Sequence, residues 1–175
     1  MKDNIQILID RNTLQTRIAE IAKEISKDFV NEDIVLICVL KGATYFAIDL
    51  SKYISESNVI MDFIKVSSYG SGTVSSGQIS FDLDIGTDIT NKNVIIIEDI
   101  IDTGITLNYL YKHLLNKNPK SLKICVLLDK KERRIQDIHV DYTGFEIENK
   151  FVVGYGLDYN EFFRNIPYIG FIEWI

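Results

Sequence analysis

Glu98, Asp99 and Asp102 place three carboxylates within five residues, directly after the apolar run Val94-Ile95-Ile96-Ile97 and directly before Thr103-Gly104-Ile105-Thr106. An apolar strand that ends in adjacent acids and turns through a glycine into a helix has the parts of a site for a phosphorylated sugar. Backbone N–H groups at the helix start, with the Thr103 and Thr106 hydroxyls, can surround a phosphate. Gly104 lets the backbone approach it closely. Glu98 and Asp99 can accept hydrogen bonds from vicinal sugar hydroxyls or help hold a hard divalent cation such as Mg2+, which prefers oxygen ligands. Ribose 5-phosphate is the ligand this inventory describes. A purely structural alternative makes Asp102 or Thr103 the helix N-cap and leaves Glu98 and Asp99 as solvated strand-end charges. It accounts for one acid and not for the pair. The turn carries neither the Gly-x-x-x-x-Gly-Lys-Ser/Thr of a P-loop nor the Gly-x-Gly-x-x-Gly of a dinucleotide fold.

Two lysines follow other apolar runs. Lys41, before Gly42, offers a cation and free backbone donors to an anionic leaving group, and Lys130 can reach a ligand from the end of the run 121–128. Lys131, Arg133 and Arg134 read as an exposed basic run. The segment 67–77 holds three Gly and five Ser with almost nothing to pack, so it reads as a mobile loop. Cys38 and Cys125 sit inside apolar runs without metal-site or disulfide spacing and read as small buried hydrophobes. His113 and His139 lie far from these motifs and form no ligand spacing.

The elements that must hold these residues follow from hydrophobic period. Leu14, Ile18, Ile21, Ile25 and Phe29 recur at three- and four-residue spacing, which predicts a packing helix over 12–29. The continuous run 34–40 has the character of a strand buried on both faces of a parallel sheet. A helix over 43–53, strands over 59–66, 78–83, 94–97 and 121–128, and a helix over 105–115 follow, with weaker strands around Val140 and over 151–153. Strands alternating with helices predict an α/β fold with a mainly parallel sheet and right-handed crossovers. Ligands then bind beyond the carboxyl ends of the strands, where the acids and lysines lie.

Composition narrows the function classes. A length of 175 residues suits a single domain over 1–175. With 46% hydrophobic and 25% charged residues but only 10 Gly and 2 Pro, disordered and collagenous classes are excluded. Nineteen basic against 25 acidic residues leave a net charge of −6, a poor field for nucleic acid or an anionic membrane, so neither is expected as a partner. The apolar runs fall far short of the roughly 20 residues of a membrane span. The start Lys2-Asp3-Asn4 has no apolar signal core, which predicts a cytoplasmic location.

A hydrophobic strand followed by Glu-Asp-x-x-Asp-Thr-Gly-x-Thr resembles the phosphoribosyl diphosphate motif of type I phosphoribosyltransferases. Leu40-Lys41-Gly42, Ser68-Tyr69-Gly70, Leu127-Leu128-Asp129-Lys130 and the run from Phe151 through Gly154 to Tyr159 resemble, in the same order, the 6-oxopurine branch, the hypoxanthine-guanine phosphoribosyltransferases. The likeness covers residues 34–164. It implies a type I phosphoribosyltransferase-like fold, with helices flanking a mainly parallel sheet and a small hood from the terminal segments.

The implied reaction transfers 5-phosphoribose from phosphoribosyl diphosphate to hypoxanthine or guanine, giving IMP or GMP and pyrophosphate, with Mg2+ as cofactor and a homodimer or homotetramer as the assembly. By resemblance, Asp102 is the general base or proton partner at the purine imidazole, and Glu98, Asp99 and the turn from Asp102 through Thr103, Gly104 and Ile105 to Thr106 hold the phosphoribosyl group. Lys41, Gly42 and Arg164 would contact pyrophosphate, and Ser68 and Tyr69 would belong to a lid that shields the reacting centre from water. Lys130 would reach the purine 6-oxygen, Phe151 would stack on the base and Val152 would meet the purine edge through its carbonyl. Glu98, Asp99 and Asp158 are the implied metal contacts. Ala43 departs from relatives that carry a second glycine there. A nucleotide-sensing RNA binder on the same fold and an enzyme for another base are the rival readings. The acidic balance weighs against the first, and Lys130 with Phe151-Val152 against the second.

Overall fold

The run from Ile34 to Val39 is buried on both faces, and it forms the middle of the molecule because no polar side chain in it asks for water. The computed structural model describes residues 5–68 and 79–173. In chain order these form β1 (Ile5–Ile9), α1 (Arg11–Asp28), β2 (Asp33–Val39), α2 (Thr44–Tyr53), β3 (Asn58–Ser68), β4 (Ile79–Leu83), β5 (Asn93–Ile101), α3 (Ile105–Leu115), β6 (Ser121–Asp129), a 3₁₀ turn (Lys131–Arg133), β7 (Tyr142–Glu146), β8 (Val152–Val153) and β9 (Ile169–Ile172).

Six strands make the main sheet in the order β4-β3-β2-β5-β6-β7, all parallel except the antiparallel edge pair β3/β4. The alternation of side chains along β2 and β5 divides the core in two. Ile34, Leu36, Cys38, Ile95 and Ile97 pack with Leu14, Ile18, Ile21 and Ile25 of α1 and Phe46, Ala47 and Leu50 of α2. Val35, Ile37, Val94 and Ile96 pack on the other face with Leu107, Leu110 and Leu114 of α3. Each buried Val, Leu, Ile or Phe among them contributes roughly 1.5–3 kcal/mol on burial, so these stripes fix which face each helix covers. Asp10 starts α1 by accepting from Asn12 N at 2.8 Å and Thr13 N at 3.1 Å, a cap worth about 1 kcal/mol.

The chain runs from β2 to β3 on one side and returns to place β5 on the other. Between β2 and β5 the connections leave in opposite directions, which opens a crevice at the carboxyl ends of these two strands. The loop after β2 carries Lys41 and Gly42 and the end of β5 carries Glu98, Asp99 and Asp102, so topology alone brings the two motifs together. The Leu40–Lys41 peptide is cis.

A second sheet, β1-β9-β8, is antiparallel and joins the amino-terminal strand to the carboxyl-terminal one. This is the expected hood of terminal segments. Sequence periodicity gave neither β1 nor β9, and it placed a strand around Val140 that the structure has at Tyr142–Glu146. The expected strand at 151–153 is reduced to Val152–Val153. Cys38 and Cys125 are free and buried, and burial pushes the Cys38 thiol up to about 12, as expected of inert packing residues.

Candidate active site

At the end of β5 the chain turns through Gly104, whose φ of +80° is in the left-handed region, and at the start of α3 it is Thr103 Oγ1 that accepts from Ile105 N, at 3.4 Å. The structural alternative for Asp102 therefore fails: its carboxylate does not cap the helix. The N–H groups of the first turn of α3 have no partner within the helix. They border a cavity of about 110 Å³ lined by Glu98, Ile100, Ile101, Asp102, Thr103, Gly104, Thr106 and Leu107. Ile105 opens the helix there and is exposed.

The turn is held from behind. Thr103 O accepts from Ile135 N and Gln136 N, both at 3.0 Å, and a Cβ on Gly104 would lie 3.1 Å from Arg134 Cδ. Arg134 is mostly buried and ion-paired with Asp129 at 2.5 Å. It thus leaves the exposed basic run that the sequence predicted and serves as a buttress. Arg133 stays exposed, as expected, but is paired: its Nε lies 2.6 Å from Asp102 Oδ1, and its terminal nitrogen donates to Asn149 Oδ1 at 3.4 Å. Sequence reasoning missed this contact, and no local pattern signals it.

Lys130 follows β6, and its N–H donates to Ile101 O at 3.0 Å, so the ends of β5 and β6 set it beside Asp102. Only 8% of Lys130 is exposed. Loss of hydration holds its ammonium below the ordinary lysine value, against the opposing pull of Asp102. A buried donor next to a carboxylate acceptor is an arrangement for reading the polar edge of a planar ligand. Phe151 is 46% exposed although it adjoins buried Val152 and Val153, so it is an aromatic face outside the core. It meets Tyr159 edge-on, at 5.7 Å between ring centroids.

The opposite wall is the loop after β2. A Cβ on Gly42 would overlap the Asp99 carboxylate, and a Cβ on Gly156 would overlap the Gly42 carbonyl oxygen. Only glycine permits this three-way approach. Gly156 has a φ of +103°, and its neighbour Tyr155 is tied to α2 by donating to Asp49 Oδ2 at 2.6 Å. Arg164 donates to Gly156 O at 2.7 Å and pairs with Asp158 Oδ1 at 2.7 Å. Lys41 pairs with Glu161 at 2.9 Å. Lys41, Gly42, Asp158 and Arg164, which are far apart in the chain, thus share one end of the crevice.

Among the described residues no three His, Cys, Asp or Glu groups converge as a metal cage. Asp158 is engaged by Arg164 and by Glu161 N, which donates to it at 2.8 Å. This donor set fits Mg2+ of the kind bound through one or two carboxylates together with a ligand's phosphates. Ser68 ends β3 opposite Ile79, and Ser67 Oγ donates to Asp82 Oδ1 at 2.8 Å. Tyr69 and most of the loop expected to be mobile lie outside the described residues.

Known proteins decide the family. A model of the phosphoribosyl transferase domain matches residues 7–160. The chain belongs to the phosphoribosyltransferase family. It is 44% identical over 172 residues to a hypoxanthine-guanine phosphoribosyltransferase of Streptococcus thermophilus, covering 98% of this chain and 95% of that protein. It is also similar to a solved hypoxanthine-guanine phosphoribosyltransferase of Bacillus anthracis, with a TM-score of 0.91 and 46% identity over 96% of this chain and 98% of the other. A hypoxanthine phosphoribosyltransferase structure from Staphylococcus aureus gives a TM-score of 0.94 at 41% identity, covering 99% and 94%.

For a phosphoribosyltransferase the Glu98–Asp99 pair has a stability cost when no ligand is bound. Loss of hydration pushes Glu98 well above the usual carboxylate range, and the charge of Asp99 adds to the rise. Asp99 is raised by loss of hydration, against its hydrogen bond with Glu98 and the charge of Arg164. A carboxyl with a raised folded pKa contributes stability below its unfolded value of about 4, and that contribution is lost as pH rises through the folded value. Glu98→Gln removes the penalty, so the ligand-free protein should melt about 2–4 °C higher at pH 8. The gain should be smaller at pH 5, and thermal scans at the two pH values check the sign.

Proposed function

We propose that this chain catalyses the transfer of 5-phosphoribose from phosphoribosyl diphosphate to hypoxanthine or guanine in purine salvage, as one catalytic domain over residues 1–175. In this reaction the bond from ribose C1 to the pyrophosphate oxygen breaks and a bond to an imidazole nitrogen of the purine forms. The observation that carries the reading is the position of Asp102, which lines the cavity at the start of α3 without capping the helix and lies within charge range of buried Lys130.

Each residue has a task in this reading. The N–H groups of the first turn of α3, with Thr103 and Thr106, hold the 5-phosphate. Glu98 and Asp99 orient the ribose hydroxyls. Lys41, Arg164 and the backbone at Gly42 receive the leaving pyrophosphate. Asp102 takes the imidazole proton, while Lys130 donates to the 6-oxygen and Phe151 stacks on the ring. Val152 presents its carbonyl to the purine edge. Asp158, with Glu98 and Asp99 nearby, would hold Mg2+, which would supply charge neutralisation for the pyrophosphate. Ser68 and Tyr69 belong to a lid over the ribose, where water would otherwise intercept the reaction.

No helix among the described residues is long and apolar enough to cross a membrane. We place the enzyme in the cytoplasm, as a homodimer or homotetramer. Exposed Tyr45, Ile48 and Tyr53 on α2 offer apolar surface for such an assembly.

Selection of the oxo group tests the reading. A hydrogen bond from a charged donor is worth about 1.5–3 kcal/mol. Lys130→Ala should therefore lower kcat/KM for hypoxanthine by about 10- to 10²-fold and narrow its advantage over adenine. Steady-state kinetics with both bases measures this, and an unchanged ratio would remove Lys130 from the purine site.

A further inference from the structure

The turn that follows Asp158 carries a residue its backbone disfavours. Asn160 and Glu161 have φ of +50° and +68°, and Tyr159 and Phe162 exchange both backbone hydrogen bonds, at 3.1 and 3.0 Å. This is the two-residue hairpin turn with both central residues left-handed, whose preferred sequence is Asn-Gly. Asparagine fills the first position as expected. The second holds glutamate, although glycine would adopt that conformation without steric cost.

The Glu161 side chain accounts for the choice. Its Oε2 lies 2.9 Å from Lys41 Nζ and 3.4 Å from an Arg164 guanidinium nitrogen, so one carboxylate bridges both cations assigned to pyrophosphate. Its own N–H donates to Asp158 Oδ2 at 2.8 Å, which fixes the turn on the remaining acid of that cluster. Lys41 and Glu161 are 54% and 65% exposed at their side chains, and a pair so open to water is weak enough to be displaced.

We propose that Glu161 is an internal counter-ion of the pyrophosphate subsite: its carboxylate stands between Lys41 and Arg164 when the subsite is empty and competes there with the leaving diphosphate. This rests on the assignment of those two cations to pyrophosphate. Glu161 thereby orients the two cations before the donor arrives and weakens their hold on the product afterwards. It is a positioning residue and takes no part in bond making.

The test uses the full-length enzyme, with magnesium pyrophosphate as the probe in calorimetric titrations and as a product inhibitor. Glu161→Gln and Glu161→Gly should each bind pyrophosphate about two- to five-fold tighter, the range for losing an exposed competing ion pair. KM for phosphoribosyl diphosphate should fall in parallel and KM for hypoxanthine should stay unchanged, a split that a general structural defect would not produce. Glu161→Gly should also melt no lower than the parent, because glycine relaxes the turn. Lys41→Ala should bind pyrophosphate more weakly. If Lys41→Ala weakens binding while both Glu161 variants bind as the parent does or more weakly, the counter-ion role is overturned and the subsite stands. If Lys41→Ala leaves pyrophosphate binding unchanged, the subsite assignment fails and the counter-ion role fails with it.

Discussion

Asp102→Asn is expected to lower turnover by roughly 10²–10⁴-fold, the range for losing a general base, while the fold and the binding of phosphoribosyl diphosphate survive. The structure makes this substitution informative. Asparagine and aspartate cap helices about equally well, and α3 starts at Gly104 with its first N–H donated to Thr103 Oγ1 rather than to Asp102, so capping is not what the substitution changes. The ion pair with Arg133 is lost; the two side chains are 46% and 40% exposed, although the paired Asp102 Oδ1 is itself buried, so a loss of up to about 1 kcal/mol is expected. An amide cannot take the imidazole proton. The defect should therefore appear in kcat under saturating substrates, with melting temperature within a few degrees of the parent. Near-normal turnover would leave the mechanism without its base.

Gly42→Ala is the second large effect. The added Cβ would overlap the Asp99 carboxylate, and on its other side Gly42 O is already pressed by Gly156. Either the loop after β2 or the end of β5 must move. Displacing reacting groups by about 1 Å costs on the order of 10²-fold in rate, so a loss of 10²-fold or more in kcat/KM for phosphoribosyl diphosphate is expected. Overpacking of this kind also costs about 1–3 kcal/mol of stability. Gly86→Ala is the matched control, because a Cβ there meets nothing within 4 Å. Equal activity in the two variants would show that the contact between Gly42 and Asp99 is dispensable.

The parts of the fold that were legible in the sequence are those in which one hydrophobic rule operates without competition. β2 and β5 read as strands because their apolar residues run continuously, and α1 reads as a helix because Leu14, Ile18, Ile21 and Ile25 keep one face. β1 was not legible: of its five residues only Ile9 is buried and Gln6 and Ile7 are exposed, so no alternation marks it. β9 has four residues and takes its strand character from pairing with the amino terminus.

In the site, the Glu-Asp-x-x-Asp-Thr-Gly-x-Thr turn was legible because its residues are contiguous and act together. Whether Asp102 caps or catalyses was not decidable from type and spacing. That depended on the φ of Gly104 and the direction of the carboxylate. Glu161 and Arg133 escaped for a related reason. Glu161 meets Lys41 across 120 residues of chain, and only the topology that closes the hood over the loop after β2 puts them in reach. Arg134 was misread as exposed because a basic run looks the same in sequence whether or not a buried aspartate such as Asp129 waits for one member.

The most direct measurement follows nucleotide and pyrophosphate formation by the full-length protein with phosphoribosyl diphosphate, Mg2+ and, in turn, hypoxanthine, guanine, adenine and uracil. The expected result is IMP from hypoxanthine or GMP from guanine with one pyrophosphate released per nucleotide, loss of turnover in excess chelator, and adenine and uracil slower by at least about 10²-fold, as a site that hydrogen-bonds the 6-oxygen requires. No nucleotide from either 6-oxopurine, or adenine used as well as hypoxanthine, would contradict 6-oxopurine phosphoribosyl transfer as the activity of this chain.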